Sequence, residues 1–343
     1  MSGKSAVLIT TALVVAASTA QAANHDRSVI VTSSNTVNNQ LLVYDTAGAL
    51  IESVPTLGQG GVDANAGGIA ADHGLVAVVN YGSQTVSVFA RGQSGFELRQ
   101  LVVVASQPVS AAFGKDHLYV LGTTTVESHR LGVDGIDTTA DGIVPLLAAD
   151  GSAAQVGVAG SQLIVTEKSG TIEVVKLESG AAFGLAVSVA LPADSRDTPF
   201  GLVTRGSNAY VTIAHSDLVG LVKNGQLIAL AATGSPGGDG QHSPCWIAVV
   251  GPYLYSSNSP SHSISRLVAG GNSIVLDLPV AAQTNGAPID IAAVSGLLAV
   301  VESNAGGTAH LTQFRIDEDG DLAQTTSTAI ASPANGVAII SDN

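Results

Sequence analysis

The sequence is poor in several residues that whole classes of protein depend on. It has one cysteine, one tryptophan and one methionine, and only 12% of its residues are charged. Because Cys245 has no partner in the chain, an internal disulfide is excluded. Lys and Arg together number 13, the formal net charge is −14, and no basic cluster occurs. Nucleic acid and anionic membrane surfaces are therefore not expected as partners.

Small and β-branched residues are abundant instead. Hydrophobic residues make up 45% of the chain, largely as Ala and Val, and there are 39 glycines. Many short strands joined by glycine-containing turns have this composition, whereas long amphipathic helices do not. We expect Cys245, which lies in an apolar stretch beside Trp246, to be buried and unreactive.

The first residues have the pattern of a secretory signal peptide. Lys4 supplies a positive charge, residues 6–17 are apolar, and Ala20-Gln21-Ala22 is a small-x-small cleavage site. The apolar run is shorter than the roughly 20 residues that a membrane-spanning helix needs. The sequence therefore predicts a signal peptide over residues 1–22, one domain over residues 23–343, and a periplasmic or secreted protein.

A repeat with a period of 40–47 residues runs through the chain. Each unit opens with a small-residue strand, continues with an apolar strand and then an alternating strand, and has polar turns between them. Four-stranded repeats of this length are typical of β-propeller blades. The units begin at Gly68, Pro108, Gln155, Pro199, Pro244, Pro288 and Pro333.

The two ends of the chain complete one another. Residues 28–32 and 40–44 resemble the second and third strands of a unit, with no first strand before them. Residues 333–340 resemble a first strand with nothing after it. If the C-terminal strand joins the N-terminal blade, the ring closes and an exposed sheet edge is removed. We therefore predict an all-β, seven-bladed β-propeller, with six or eight blades as alternatives because the first spacings are uneven.

Polar residues recur where the second strand of a unit ends. Asn80, Glu167, Asn258 and Glu302 each follow an apolar strand. In a propeller these ends open on one face, around the mouth of the axial channel, where loops from many blades surround one ligand. Glu167 and Glu302, three blades apart, are expected to face each other there.

An acid–base site at this mouth is one interpretation. Partial burial moves the pKa values of carboxylates and imidazoles toward neutrality, as acid–base catalysis requires. We predict catalytic roles for Glu167, Glu302 and His242. The predicted substrate-binding residues are Lys168, Arg196, His215, Asn258, Asp290 and Asn80. The alternative is a ring of solvated polar loop residues without a chemical role.

No metal or cofactor is predicted. His215 and Asp217 have no third ligand at a recognisable spacing. Residues 317–321 are faintly similar to a calcium loop, but they lack the full ligand series and lie where a hairpin turn is expected. No glycine-rich phosphate loop precedes a helix.

Several segments resemble lactonase-family β-propellers of bacteria, relatives of cycloisomerase-type phosphogluconolactonases and carboxymuconate-cyclising enzymes. The similar stretches are residues 244–249 (PCWIAV), 253–258 (YLYSSN), 263–266 (SISR) and 165–172 (VTEKSGTI). The resemblance implies seven blades and the opening or closing of a lactone by a carboxylate or histidine with an arginine, without metal. Of the candidate acids and bases, only Glu167 lies in a matched segment. The Pro-Arg-His motif of the cytosolic enzymes is absent.

These patterns lead to two hypotheses about function. The first is an exported, metal-independent lactonase or related ring-opening or ring-closing enzyme, acting on a small molecule at the axial mouth. The alternative is a non-catalytic binding or scaffold propeller of the periplasm or cell surface. In both cases we expect a monomer and a small-molecule ligand.

Overall fold

The computed structural model describes residues 28–133, 135–234, 241–304 and 307–341. These residues form seven antiparallel sheets arranged as the blades of one ring. The predicted all-β, seven-bladed propeller is confirmed. No helix in these ranges is long and apolar enough to cross a membrane. The predicted signal peptide lies outside the described residues.

Each blade contains four principal strands, ordered from the axis outward. Blade 1 combines β29 (Asn335–Ile340) with β1 (Val29–Ser33), β2 (Gln40–Asp45) and β3 (Leu50–Pro55). Blade 2 contains β4 (Ile69–Asp72), β5 (Leu75–Asn80), β6 (Thr85–Gly92) and β7 (Gly95–Val103). Blade 3 contains β8 (Pro108–Phe113), β9 (His117–Gly122), β10 (Thr125–Gly132), β11 (Gly135–Ile136) and β12 (Gly142–Pro145).

The remaining blades follow the same order. Blade 4 contains β13 (Ala153–Ala159), β14 (Gln162–Glu167), β15 (Thr171–Glu178) and β16 (Ala181–Ser188). Blade 5 contains β17 (Pro199–Arg205), β18 (Asn208–Ile213), β19 (Leu218–Lys223) and β20 (Gln226–Ala232). Blades 6 and 7 contain β21 (Pro244–Val250), β22 (Tyr253–Asn258), β23 (Ser263–Ala269), β24 (Ile274–Gln283), β25 (Ala287–Val294), β26 (Leu297–Asn304), β27 (Thr308–Ile316) and β28 (Leu322–Ile330).

The position of a strand in its blade explains its composition. Second strands such as β14 are paired on both edges and packed between neighbouring blades, so almost every residue is buried. Outermost strands such as β3 alternate between exposed and half-buried residues, because one face is open to water. The large buried side chains between blades include Tyr119, Tyr210 and Tyr255.

The ring closes as predicted, by antiparallel pairing of β29 with β1. Val29 pairs with Ile340, and the ladder continues to Thr32 opposite Val337. The strand begins at Asn335, two residues after the predicted Pro333. Pairing the two ends covers the inner edge of β1, which is the usual purpose of such closure.

Blade 3 is the irregular one, and this accounts for the long repeat spacing from Pro108 to Gln155. A short strand, β11, precedes β12 in the connection that leads to the outer edge. His117 is fully buried at the start of β9, with Asp116 Oδ1 2.9 Å from Nδ1 and Asp141 Oδ2 2.8 Å from Nε2. This histidine therefore ties the longer connection to the body of the blade.

Cys245 is half-buried in β21 rather than completely buried. Burial raises the pKa of its thiol to about 12. The side chain is therefore a neutral thiol at physiological pH, as expected of an unreactive cysteine.

Removal of residues 335–343 should abolish cooperative folding. It deletes β29, exposes the edge of β1 and uncovers the fully buried Ile30 and Val31. Thermal unfolding followed by circular dichroism, with size-exclusion chromatography, should show loss of the sharp transition and association through the free edge. Removal of residues 342–343 alone is the control. A truncated protein that still melts sharply as a monomer would contradict the proposed importance of closure.

Candidate functional site

One face of the ring collects the starts of the first strands and the ends of the second strands; we call it the upper face. The connections that lead into each blade, and those between second and third strands, lie there. All nine residues predicted for the site belong to this face or to the strand ends beneath it. Their surroundings, however, differ widely.

The axial mouth is occupied by part of the chain itself. Residues 62–68, which we call the plug segment, connect blade 1 to blade 2. The Trp246 indole Nε1 donates to the Asn65 carbonyl oxygen at 3.1 Å, and Asn335 Nδ2 donates to Asn65 Oδ1 at 2.7 Å. The Ala66 N–H donates to the Ala154 carbonyl oxygen at 3.1 Å. The plug segment therefore binds inner strands of blades 1, 4 and 6 across the axis.

Asp290 lies beneath the plug segment instead of lining an open channel. Its carboxylate accepts hydrogen bonds from the backbone N–H groups of Ile291, Gly67 and Val337. Burial nevertheless raises the pKa of Asp290 to about 7. The Asp290 side chain thus holds the plug segment to blades 1 and 7, and its role in binding substrate stays a prediction.

Asn80 and Asn258 do not line the mouth either. Both are fully buried, and each directs its amide toward hydroxyl groups of the third strand. Asn80 Nδ2 donates to Ser87 Oγ at 2.7 Å, and Asn258 Nδ2 donates to Ser265 Oγ at 2.8 Å. A buried amide must find such partners, so these residues stabilise the blade rather than offering a polar surface to a ligand.

Glu302 is also enclosed within its blade. It is fully buried, and its Oε2 accepts a hydrogen bond from the Gly286 N–H at 2.9 Å. Burial raises the pKa of this carboxyl, while hydrogen bonds from Thr312 and the backbone partly oppose the change. The carboxyl anchors the connection into blade 7. The structure does not bring Glu302 and Glu167 into one group.

Glu167 differs from Glu302 because its hydrogen-bond partners form a chain that reaches the protein surface. Ser152 Oγ donates to Glu167 Oε2 at 2.8 Å and lies 2.8 Å from Ser169 Oγ, which is exposed. Glu167 itself is fully buried, and its Oε1 has no hydrogen-bond partner among the described residues. Burial raises its pKa to about 8. A neutral carboxylic acid is thus linked to solvent by two hydroxyls.

Lys168 and Asp150 flank this group. Lys168 Nζ donates to the Ala64 carbonyl oxygen at 2.7 Å and so reaches the plug segment. Burial lowers the pKa of Lys168, against the attraction of Glu167 and nearby aspartates. Asp150 Oδ1 accepts a hydrogen bond from the Ser152 N–H at 2.9 Å, and hydrogen bonds from Ser152 and Ser169 lower the pKa of Asp150.

Two exposed histidines, each paired with an aspartate, extend the row into blades 5 and 6. His215 Nδ1 lies 3.3 Å from Asp197 Oδ1, and His242 Nδ1 lies 2.9 Å from Asp217 Oδ2. Beside them Arg196 uses its Nε to donate to the nearby Leu191 carbonyl oxygen at 2.9 Å. The pairing with aspartate directs Nε2 of each histidine away from the carboxylate.

The structure therefore assembles only part of the predicted site. The backbone of Arg196 lies against Gly170, which joins the Glu167 group to the histidine pairs. We call this arc the rim row. It consists of Asp150, Ser152, Glu167, Lys168, Ser169, Arg196, Asp197, His215, Asp217 and His242. Glu302, Asp290, Asn80 and Asn258 lie outside it, held by their own partners.

Sequence reasoning missed Ser152, Ser169 and the plug segment. Ser152 immediately precedes Ala153, which pairs with Glu167 at the end of the ladder between β13 and β14. A predicted register would thus have placed a serine beside the glutamate. The plug segment has no strand pattern, and nothing in its composition indicates that it crosses the axis.

Metal-ligating side chains are scattered rather than clustered. Within the described ranges, no group of three or more His, Cys, Asp or Glu residues is arranged to hold a metal ion. The two His–Asp pairs on the rim row each supply two such groups.

The fold is that of a seven-bladed β-propeller, and solved structures share it at low sequence identity. A protein of unknown function from Desulfotomaculum acetoxidans matches with a TM-score of 0.69 at 12% identity, over 92% of this chain and 99% of that chain. The periplasmic gluconolactonase PpgL of Pseudomonas aeruginosa matches with a TM-score of 0.67 at 14% identity, over 92% and 99%. A Bacteroides uniformis protein provisionally described as a 6-phosphogluconolactonase matches with a TM-score of 0.65 at 16% identity, over 92% of this chain and 100% of that chain.

The resemblance to lactonase-type propellers that the sequence suggested is thus found among the structural neighbours as well. No family profile and no curated protein matches the chain. At these identities the likeness establishes the fold, and the activity must be argued from the site.

Glu167→Gln should change how stability depends on pH. A carboxyl whose pKa is about 8 when folded, and near its ordinary value when unfolded, binds more protons in the folded state between those values. Wild-type stability should therefore fall as pH rises from about 4.5 to 8. The variant lacks this contribution. Its melting temperature, measured by scanning fluorimetry, should therefore rise relative to that of wild type as pH increases across this range.

The control for this measurement is Glu178→Gln, because Glu178 is an exposed carboxyl at the end of β15 of the same blade. It should give a difference from wild type that is constant with pH. If Glu167→Gln also gave a constant difference, the carboxyl would not be held in its neutral form by burial.

Proposed function

We propose that this protein is an exported hydrolase that opens a small lactone on the rim row, using Glu167 as its acid–base group. The observation that carries the proposal is the Glu167 carboxyl, which is buried yet linked through Ser152 to an exposed hydroxyl. The lactonase-type structural neighbours and the predicted signal peptide support the reaction type and the export. The proposed location is the rim beside the plug segment, since residues 62–68 occupy the axis.

Burial gives Glu167 the properties of an effective base. A carboxylate with a pKa of about 8 holds a proton much more strongly than a solvated one, so it takes a proton from an attacking hydroxyl more readily. The proton is accepted through Ser152. It is returned to the ring oxygen as the carbon–oxygen bond of the lactone breaks. His242 and His215, held by aspartates, are proposed to orient the hydroxyl groups of the substrate.

The charges of the upper face favour an uncharged substrate. In the described part of the chain, its connections carry five aspartates but only two basic residues, Lys168 and Arg196. Both basic side chains already donate to backbone carbonyl oxygens. A phosphate or carboxylate group would therefore meet net repulsion from the five aspartates, against which only the Lys168 ammonium and the Arg196 guanidinium could act. We propose an unphosphorylated lactone.

The alternative function remains a non-catalytic binding or scaffold propeller. The observation in its favour is the plug segment, which replaces an open channel by packed backbone and the Asn65–Asn335 pair. A propeller that binds a partner over its upper face needs no channel. In that case the rim row would supply polar contacts, and Glu167 would only stabilise blade 4.

Hydrolysis of a panel of unphosphorylated lactones, followed by pH-stat titration, distinguishes the two functions. Wild type should open at least one lactone, and Glu167→Gln should lower kcat/KM by about 10²- to 10⁴-fold, as loss of an acid–base group does. Glu302→Gln is the matched control, because Glu302 is an equally buried carboxyl at the same strand position in blade 7. It should keep activity near wild type. No hydrolysis of any lactone would support the binding function.

The pH profile provides a separate check. Because Glu167 acts as a base only when it is ionised, kcat/KM corrected for spontaneous hydrolysis should rise as pH increases and level off above about 8. The residual activity of Glu167→Gln should lack this rise. A wild-type profile that falls through the same range would show that the ionised carboxyl is not the active form.

A further inference from the structure

The Glu167 group forms a directed chain of hydrogen bonds that ends at the protein surface. Ser152 uses its only hydroxyl proton to donate to Glu167 Oε2 at 2.8 Å. When Glu167 is ionised and accepts the Ser152 proton, Ser169 is the donor in the 2.8 Å bond between Ser169 Oγ and Ser152 Oγ, in competition with its hydrogen bond to Asp150. Ser169 is exposed, whereas Glu167 is fully buried. The chain can thus carry a proton from a surface hydroxyl to a buried carboxylate.

The local backbone holds this chain in place. Ser152 lies just before β13, where Asp150 Oδ1 accepts its N–H at 2.9 Å and its carbonyl oxygen accepts the Lys168 N–H at 2.9 Å. Ser169 lies in the tight turn between β14 and β15, in which the Gly170 N–H donates to the Glu167 carbonyl oxygen at 3.0 Å. The three side chains are therefore fixed by two strand ends rather than by mobile contacts.

We propose that Ser169 is the catalytic nucleophile and forms a covalent acyl intermediate, with Ser152 and Glu167 as the relay that removes its proton. This inference rests on the proposed function for its substrate, but the reactivity of Ser169 follows from the chain alone. A serine hydroxyl is a weak nucleophile unless an adjacent base removes its proton as it attacks. Glu167, reached through Ser152, is that base.

The reaction balances as an ordinary acyl transfer. Ser169 Oγ attacks the lactone carbonyl carbon while its proton moves to Ser152 and the proton of Ser152 moves to Glu167 Oε2. The ring carbon–oxygen bond then breaks, and the leaving oxygen receives the proton from Glu167 through Ser152 alone, because Ser169 Oγ is now esterified. Water attacks the resulting ester, gives up one proton by the same route, and releases the hydroxy acid with Ser169 restored. The sum is lactone plus water giving one hydroxy acid.

Asp150 is a second carboxylate within reach of Ser169, but it is a poorer base. Its hydrogen bonds with Ser152 and Ser169 lower its pKa, and the side chain is exposed. Burial acts in the opposite direction on Glu167 and raises its pKa to about 8. Of the two, Glu167 therefore accepts the proton of Ser169 more readily. Asp150 orients the Ser152 backbone.

The test is covalent labelling with an alkyl fluorophosphonate, which needs no knowledge of the substrate. Attack by an activated serine forms an oxygen–phosphorus bond, breaks the phosphorus–fluorine bond and releases fluoride, with the proton taken by the base. Intact-protein mass spectrometry should show one adduct on wild type, and peptide mapping should place it on Ser169. Its rate should rise with pH and level off above about 8.

Single-residue variants test the nucleophile, the proton relay and the background labelling of exposed serines separately. Ser169→Ala should not be labelled, and Ser152→Ala and Glu167→Gln should be labelled at least tenfold more slowly without the rise with pH. Ser161→Ala, which removes an exposed serine at the lower turn of the same blade, should match wild type.

The outcomes for this inference and for the lactonase proposal can be told apart. Labelling of Ser169 without hydrolysis of any lactone would support the nucleophile and overturn the proposed substrate. Lactone hydrolysis that persists in Ser169→Ala would support the lactonase and overturn the nucleophile. Absence of an adduct on Ser169, or an unchanged rate in Glu167→Gln with the fold intact, would also overturn the inference.

Discussion

The pairing of β29 with β1 is the contact on which the rest of the molecule depends. It converts a row of sheets into a ring, so that each blade is covered by two neighbours and the apolar second strands are buried on both faces. With few charged residues and much Ala and Val, the chain has little else to keep its sheet edges soluble. The upper face, with its converging loops, exists only because the ring is closed.

Burial of polar groups at the blade tops has two different consequences in this ring. The hydrogen bonds of Asn80, Asn258 and Glu302 run to serine hydroxyls or backbone N–H groups inside the protein, although Asn258 Oδ1 and Glu302 Oε1 have no partner among the described residues. Glu167 occupies the same strand position, but its partner Ser152 passes the contact on to an exposed serine. Burial raises the pKa of both glutamates, so what distinguishes Glu167 is the hydrogen-bond path from Ser152 to the surface.

The fold was predictable from sequence because each blade is encoded locally. The apolar second strands, the polar turns and the incomplete terminal units can each be recognised from residues that are neighbours in the sequence. The candidate site was only partly predictable, because its members are brought together by register and by an irregular loop. Glu167 and Lys168 were found from the repeat, whereas Ser152 is brought next to Glu167 by the β13–β14 ladder. The burial of Asp290 depended on partners that no repeat pattern indicates, whereas the Asn80–Ser87 pair recurs as Asn258–Ser265 in blade 6.

The plug segment has a consequence for the order in which the molecule folds. The bonds of Asn65 to Asn335 and to Trp246 span 270 and 181 residues of sequence, among the longest separations in the structure. Contacts this distant carry a large loop-closure cost, and such non-local topology slows folding. We therefore expect closure of the ring and filling of its axis to come late in folding, after the intervening blades have formed.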